Sequence, residues 1–328
     1  MTEVMGEVDL CFPQLFNTSC RKPEPPHNNT LLIYILLSFI SLLTAALNLL
    51  VIISIAHFRQ LHTPTNFVLL SLAVSDFLVG LLLLPAEILL TETCWILGDI
   101  LCALYYLLPI IIISASVGNM MLISVDRYVA IVDPLHYSIK VTKRIVTICI
   151  CLCWICSVFY SIVLLYDNLK QPGRYNSCEG ECMVNITGAV DLVMSFIIPI
   201  TVIIVLYMRV FVVAVSQARA MRSSIKAVSL QLSVKVTVKK SEIKAARTLG
   251  IVIVVFLMCY SPYYCVSLTG KDILIGTATE VFMIYLMYFN SCLNPVIYVF
   301  FYPWFKKTIR LILTLKILQP DTCDANVL

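Results

Sequence analysis

The sequence predicts an all-α protein, a seven-transmembrane helical bundle with a short amphipathic C-terminal helix. Three observations predict it. The chain is 60% hydrophobic and only 13% charged, with a mean hydropathy of +0.94, whereas soluble domains carry roughly 25% charged residues. Seven stretches, 31–56, 66–91, 99–129, 145–166, 186–215, 243–268 and 278–301, are long and apolar enough to span a bilayer, which takes about 20 residues of helix. With the N-terminus outside, 18 of the 23 Lys and Arg fall on the inner side, the asymmetry that sets membrane orientation.

Residues 1–30 form a polar, acidic extracellular tail (Glu3, Glu7, Asp9, Glu24). No basic segment leads into a short apolar core, which argues against a cleaved signal peptide, and the first helix is expected to serve as an uncleaved signal anchor. Residues 31–302 hold the seven spans, each a helix because unpaired backbone groups cannot face lipid. Their inner connections are basic: Arg59, then Lys140, Lys143 and Arg144, then the run from Arg219 to Arg247. The outer side holds only Arg21, Lys22, Lys170, Arg174 and Lys271. Residues 303–328, with Lys306, Lys307 and Arg310, read as the amphipathic helix and cytoplasmic tail. The sequons at Asn17, Asn28 and Asn185 all lie on the outer side, where glycosylation occurs. A multi-pass plasma-membrane protein with an extracellular N-terminus is expected. There is no internal repeat and no low-complexity segment.

Thirteen of the 19 carboxylates lie on the outer side. Such a field concentrates cations; alternatively it is the complement of the basic inner bias. Of the 14 cysteines, Cys11, Cys20, Cys94, Cys102, Cys178 and Cys182 are outside, where disulfides form; sequence alone leaves their pairing open. Those within helices, such as Cys149, Cys153, Cys259 and Cys292, act as small apolar residues. Cys323 lies in the tail, where acylation is only weakly signalled.

Asp126-Arg127-Tyr128 stands at the inner end of the third span. An Arg at that depth is costly unless paired or snorkelling; Asp126 is adjacent, and Glu242 opens the sixth span. Asn48, Asp76, Trp154, Pro199 and Pro262 mark the first, second, fourth, fifth and sixth spans, and Asn294-Pro295-Val296-Ile297-Tyr298 the seventh. End to end, this constellation resembles the rhodopsin-like G-protein-coupled receptors. The run Asn290-Ser291-Cys292-Leu293-Asn294-Pro295-Val296-Ile297-Tyr298, continuing to Tyr302-Pro303-Trp304-Phe305, is similar to the fingerprint of trace amine-associated receptors. Cys178-Glu179-Gly180-Glu181-Cys182 and the N-terminal Cys20 are also similar to that family. The resemblance implies bridges Cys102–Cys182 and Cys20–Cys178, leaving Cys11 and Cys94 unassigned. It implies a switch formed by Asp126, Arg127, Tyr128, Glu242, Asn294, Pro295 and Tyr298. It also implies an olfactory sensor of small cationic amines that couples to a stimulatory G protein and raises cyclic AMP. An allosteric sodium ion would be held by Asp76, Ser116, Asn290, Ser291 and Asn294, oxygen donors that suit a hard cation; a plain polar network around a water is the alternative.

The pattern is broken where the ligand should bind. Amine receptors usually carry an aspartate 18 residues before the Arg of Asp-Arg-Tyr; here that position is Pro109, and no carboxylate lies between Asp99 and Asp126. Pro109, which should kink the helix, and Ile113 one turn on are expected to line the cavity without pairing an ammonium. The usual switch tryptophan of the sixth span is Tyr260. A substitute acid exists in Asp191, six residues past Asn185 and so roughly 9 Å along the helix from it. This resembles a branch of fish trace amine receptors in which the amine-pairing aspartate sits on the fifth helix. The alternative is that Asp191 only solvates a helix end. Glu87 lies 11 residues after Asp76, about 20° from the same helix face; it lines the pocket or points to the outer interface with Glu92. If both acids line one pocket, diamines become expected ligands. Tyr263, Tyr264 and Tyr288, with Tyr105, Tyr106 and Tyr285, offer rings to a cation or an aromatic ligand, or belong to an interfacial belt.

Other classes fit less well. The stretch from Thr279 to Tyr302 has no lysine for a retinal Schiff base, and all four histidines (His27, His57, His62, His136) lie in tails or loops. No enzyme constellation is present, no inverted repeat marks a transporter, and no cofactor is implied beyond sodium. The expected partners are an amine, a heterotrimeric G protein and membrane lipid, not nucleic acid. The rival reading is a receptor for a peptide or other non-amine ligand.

Overall fold

A computed structural model describes residues 9–22, 28–90, 93–186, 188–225, 250–266, 278–319 and 322–327. Apolar stretches with no external hydrogen-bond partner must close their backbone bonds internally. The described residues are accordingly helical almost throughout, with two isolated β-bridges and no strand. Helix α1 is Asn28–His57, and a 3₁₀ turn at Arg59–Leu61 leads to α2, Pro64–Leu90. Thr63 caps α2, its side chain accepting from the Asn66 amide at 3.3 Å. Pro64 takes the first position, where its missing N–H would have no helical partner anyway. Helix α3 is Asp99–Val132 and α4 is Lys143–Leu164, the latter capped by Thr142. Helix α5 joins three pieces, Gly188–Asp191, Leu192–Ile197 and Ile198–Ile225. Helices α6, Gly250–Val266, and α7, Ala278–Phe301, complete the bundle, and α8 is Pro303–Leu313. Among the described residues, six helices are long and apolar enough to cross a membrane; the flanks of the sixth predicted stretch, 243–268, lie outside the described residues.

Two helices change pitch, each just before a proline. Val79–Leu83 in α2 and Leu192–Ile197 in α5 are π-helical, and Pro85 and Pro199 follow them. A helical proline lacks a donor, and its ring clashes with the carbonyl four residues back; a wider turn relieves both conflicts. Each inserted residue rotates what lies beyond by about 100°. Glu87, which the sequence left either in the pocket or at the outer interface, accepts from Tyr105 of α3, while Asp76 accepts from Asn294 of α7. Pro109, by contrast, lies inside α3 as one continuous helix.

Small residues and buried polar contacts set the helix spacing. A Cβ on Gly80 would lie 2.6 Å from the Ala45 amide nitrogen and 3.0 Å from the Ser41 carbonyl oxygen, so α1 and α2 touch backbone to backbone. Ser41 Oγ donates to the Gly80 carbonyl at 2.7 Å. Asn48 donates to the Ser291 carbonyl at 3.0 Å, tying α1 to α7, and Trp154 Nε1 donates to Ser71 Oγ at 3.0 Å, tying α4 to α2.

At the end of the bundle that carries the N-terminal tail, three disulfides build a roof. Cys102–Cys182 joins α3 to the α4–α5 loop, Cys20–Cys178 joins the tail to that loop, and Cys11–Cys94 joins the tail to the α2–α3 loop. Leu10 bridges Arg21, closing the tail on itself, and Ser19 pairs with Glu179 of the loop. The Trp95 amide donates to the Gly180 carbonyl at 2.8 Å. At the opposite end, α8 buries Trp304, Phe305 and Thr308 and exposes Lys306, Lys307 and Arg310. The segment beyond it returns to the α1–α2 loop: the Val327 amide donates to Gln60 Oε1 at 3.1 Å, and Asp324 pairs with Arg59 at 3.3 Å.

Gly80→Ala should therefore force α1 and α2 apart, an overpacking cost of about 1–3 kcal/mol. The check is a lower thermal-unfolding midpoint of the detergent-solubilised protein; an unchanged midpoint would show that the close approach does not constrain the pair.

Candidate functional site

Asp191 ends the first piece of α5, immediately before the π turn that carries Ser195. Its Oδ1 accepts from Tyr160 on α4 at 2.8 Å and from Ser195 Oγ at 2.8 Å, and those two hydroxyls lie 2.9 Å apart. The carboxylate is half-buried. It stands within electrostatic reach of the buried Tyr264 phenol of α6, as do Tyr160, Tyr260 and Tyr263. Tyr264 stacks on Phe196 of α5, ring centroids 4.5 Å apart, and meets Tyr263 edge-on at 5.1 Å. The acid thus lies in the first turn of α5, bonded to Tyr160 of α4 and within electrostatic reach of Tyr264 of α6. Neither Tyr160 nor Ser195 was singled out by the sequence. The available signals were an i, i+4 hydroxyl beside a helical acid, and a tyrosine in the apolar run of α4.

Glu87 Oε2 accepts from Tyr105 of α3 at 2.7 Å. It lines a cavity of about 370 Å³ under the disulfide roof, together with Trp95, Tyr106 and Glu181. Tyr106 closes one wall by donating to the Cys182 carbonyl at 3.3 Å. Asp191 is not among the residues lining this cavity. The two acids are linked through aromatic residues: the buried Tyr288 lies within reach of Glu87, Tyr260 and Tyr263, the last two being neighbours of Tyr264 as well. Pro109 and Ile113 of α3 are half-buried, and Ile113 packs against the core. Asn17 and Asn185 are exposed beside the roof, and Asn28 begins α1.

Deeper in the bundle, the fully buried Asp76 joins α2 to α7. Ser291 Oγ donates to its Oδ1 and Asn294 Nδ2 to its Oδ2, both at 2.8 Å. The buried oxygens Asn290 Oδ1 and Asn294 Oδ1 have no hydrogen-bond partner. A carboxylate bonded to Asn294, whose own amide oxygen lacks a donor, suits a hard monovalent cation, so this donor set fits the sodium ion that the sequence resemblance implies. Ser116, also buried, neighbours Tyr260, whose phenol lies within the field of Asp76. The Tyr260 ring packs on Phe256 at 4.2 Å.

At the far end of α3, Arg127 is nearly buried and closely held. Its Nε donates to Asp126 Oδ2 at 3.0 Å, its Nη2 reaches the same oxygen, and Nη2 also donates to Thr65 Oγ1 at 2.7 Å. Asp126 Oδ1 accepts from Tyr137 at 2.7 Å, and Oδ2 accepts from Thr65 at 2.9 Å. Burial pushes the Tyr137 phenol up to about 12, so it remains a donor at neutral pH. In the loop that follows, hydrogen bonds from Lys140 and His136 hold the Asp133 carboxyl down to about 2. Tyr298 of α7 is buried and meets Tyr302 edge-on at 5.9 Å, and Pro295 lies inside α7. Tyr128 faces Ile131 and Val210. Glu242, the expected second partner of Arg127, lies outside the described residues.

Residues 47–298 match the model of the family described as "7 transmembrane receptor (rhodopsin family)". Trace amine-associated receptor 7e of Mus musculus is 36% identical over 330 residues, covering 97% of this chain and 92% of that protein. Trace amine-associated receptor 8b of Rattus norvegicus is 38% identical over 333 residues, covering 98% and 96%. Trace amine-associated receptor 4 of Mus musculus is 34% identical over 334 residues, again covering 98% and 96%. With seven apolar helices, the Asp126–Arg127 lock at one end and a disulfide-roofed cavity at the other, these matches make this chain a member of the rhodopsin family of seven-transmembrane receptors, within its trace amine-associated branch.

Proposed function

We propose that this receptor senses small cationic amines, with Asp191 pairing the ammonium. The observation that carries this reading is the position of Asp191. It is the acid that stands among the α6 tyrosines, while α3 offers Pro109 where an aspartate would otherwise serve. A half-buried carboxylate gains more from a cation than one in bulk water, because the surrounding dielectric is low. Tyr263 and Tyr264 present ring faces that suit a cation or an aromatic skeleton. Glu87, on the far side of the shared tyrosines, supports diamines as ligands, one ammonium meeting each acid.

The roofed end, with exposed Asn17 and Asn185, is the extracellular face in this reading. The end with Lys140, Lys143, Arg144, Lys306 and Lys307 faces the cytoplasm of a plasma membrane. There Arg127 is released from Asp126, Thr65 and Tyr137 when α6 moves, and the opened groove takes a helix of a stimulatory G protein, raising cyclic AMP. An amine drives this change only by its differential affinity for the two states. Asp76, Asn290, Ser291 and Asn294, with Ser116, would hold a sodium ion, whose charge would brace α2 against α7. Olfaction is the sensory role the family membership supports.

Three measurements test these assignments. Asp191→Asn should weaken amine-evoked cyclic AMP responses at least ~30-fold in potency, the loss expected when one partner of a buried charge pair is removed. Surface labelling should be unchanged, and an unaltered dose–response curve would sink the amine reading. Glu87→Gln should weaken diamines at least ~10-fold while leaving monoamines of the same length alone; equal effects on both would remove Glu87 from ligand contact. Replacing sodium with a bulky organic cation in washed membranes should raise amine potency in the native receptor, and Asp76→Asn should abolish that dependence. A native receptor indifferent to sodium would refute the ion site.

A further inference from the structure

We infer that Tyr160 of α4 is a positioning residue for the amine-pairing carboxylate, holding Asp191 in the orientation that presents its second oxygen to the ligand. The inference rests on the proposed role of Asp191 and adds the device that makes that acid directional. Helix α5 alone holds Asp191 loosely, since its one partner there is Ser195, four residues on in the same helix and within the π turn. Tyr160 is the one described side chain of another helix that donates to it.

The geometry is a closed ring of three oxygens. Tyr160 Oη and Asp191 Oδ1 are 2.8 Å apart, Ser195 Oγ and Asp191 Oδ1 are 2.8 Å apart, and Ser195 Oγ and Tyr160 Oη are 2.9 Å apart. Each hydroxyl has one proton, so two protons serve three edges. Tyr160 gives its proton to Asp191. Ser195 gives its proton either to Asp191 or to the Tyr160 oxygen, and the second choice polarises the phenol further. In every arrangement Oδ1 is engaged, and among the described residues no hydrogen bond falls on Oδ2. The ring fixes the side-chain torsions of Asp191 and leaves one oxygen for an ammonium. Removing the phenolic oxygen frees the carboxylate to swing with Ser195, so the ligand must order it at its own cost.

Tyr160→Phe keeps the ring and removes only the hydroxyl. In cells matched for surface receptor, it should raise the half-maximal amine concentration about tenfold, as expected for one hydrogen bond to a charged group, without lowering the maximal cyclic AMP response. The discriminating arm repeats the substitution in an Asp191→Glu receptor. There the longer side chain moves the carboxylate out of the ring, so adding Tyr160→Phe should shift potency by less than about threefold. An equal shift in both backgrounds would reduce Tyr160 to a structural role and overturn the inference. So would a Tyr160→Phe receptor with native potency beside an Asp191→Asn receptor that no longer responds; that pair of results leaves the amine reading standing. Should Asp191→Asn itself respond like the native protein, the amine reading fails first and this inference with it.

Discussion

Negative charge inside an apolar bundle is tolerated only where donors meet it, and this constraint organises the molecule. Among the described residues, four helix-borne carboxylates lie within the bundle, and each is reached by a donor from another element. Asp76 of α2 takes Ser291 and Asn294 of α7; Asp126 of α3 takes Thr65 of α2 and Tyr137 of the following loop. Asp191 of α5 takes Tyr160 of α4, and Glu87 of α2 takes Tyr105 of α3. The acids are therefore rivets between helices, and in the proposed reading they are also sites for cations. The two roles share one cause, because a carboxylate that needs donors in the resting bundle also gains most from a bound positive charge.

These rivets lie within electrostatic reach of a series of tyrosines that runs from one end of the bundle to the other. Asp191 neighbours Tyr264, which neighbours Tyr260; Tyr260 lies in the field of Asp76, which is bonded to Asn294. Tyr298 follows one turn on from Asn294 and meets Tyr302, which in turn lies within reach of Arg127. A tyrosine at position 260 gives this run a hydroxyl where an indole would present an apolar ring edge and a single donor. Packed rings and bonded charges recur along this series, the kind of material that rearranges between discrete states instead of deforming smoothly.

The features legible in the sequence were those carried by local composition. Apolar length announced the spans, and α7 has the bounds 278–301 that its hydropathy predicts. The motif residues Asp126 and Arg127 pair as an arginine in an apolar setting must. Three things were not legible because they depend on how helices meet. The π turns before Pro85 and Pro199 shift the helix register, which counting 100° per residue does not anticipate. The Cys11–Cys94 bridge needs the tail to fold back on itself, which no spacing rule shows. Tyr160 and Ser195 acquire meaning only when α4 and α5 are side by side, since an isolated tyrosine in an apolar helix is indistinguishable from packing.

The roof has a consequence for the cavity it covers. A loop over a cavity can swing aside, but a tail stitched to two different loops, through Cys94 and Cys178, cannot leave without breaking a covalent bond. The tail is thereby a fixed part of the wall of the cavity beneath it, where Cys11, Cys20 and Arg21 stand with Glu87. Whatever occupies that cavity meets the amino-terminal tail as rigid wall, its placement set by the two cysteines that anchor it.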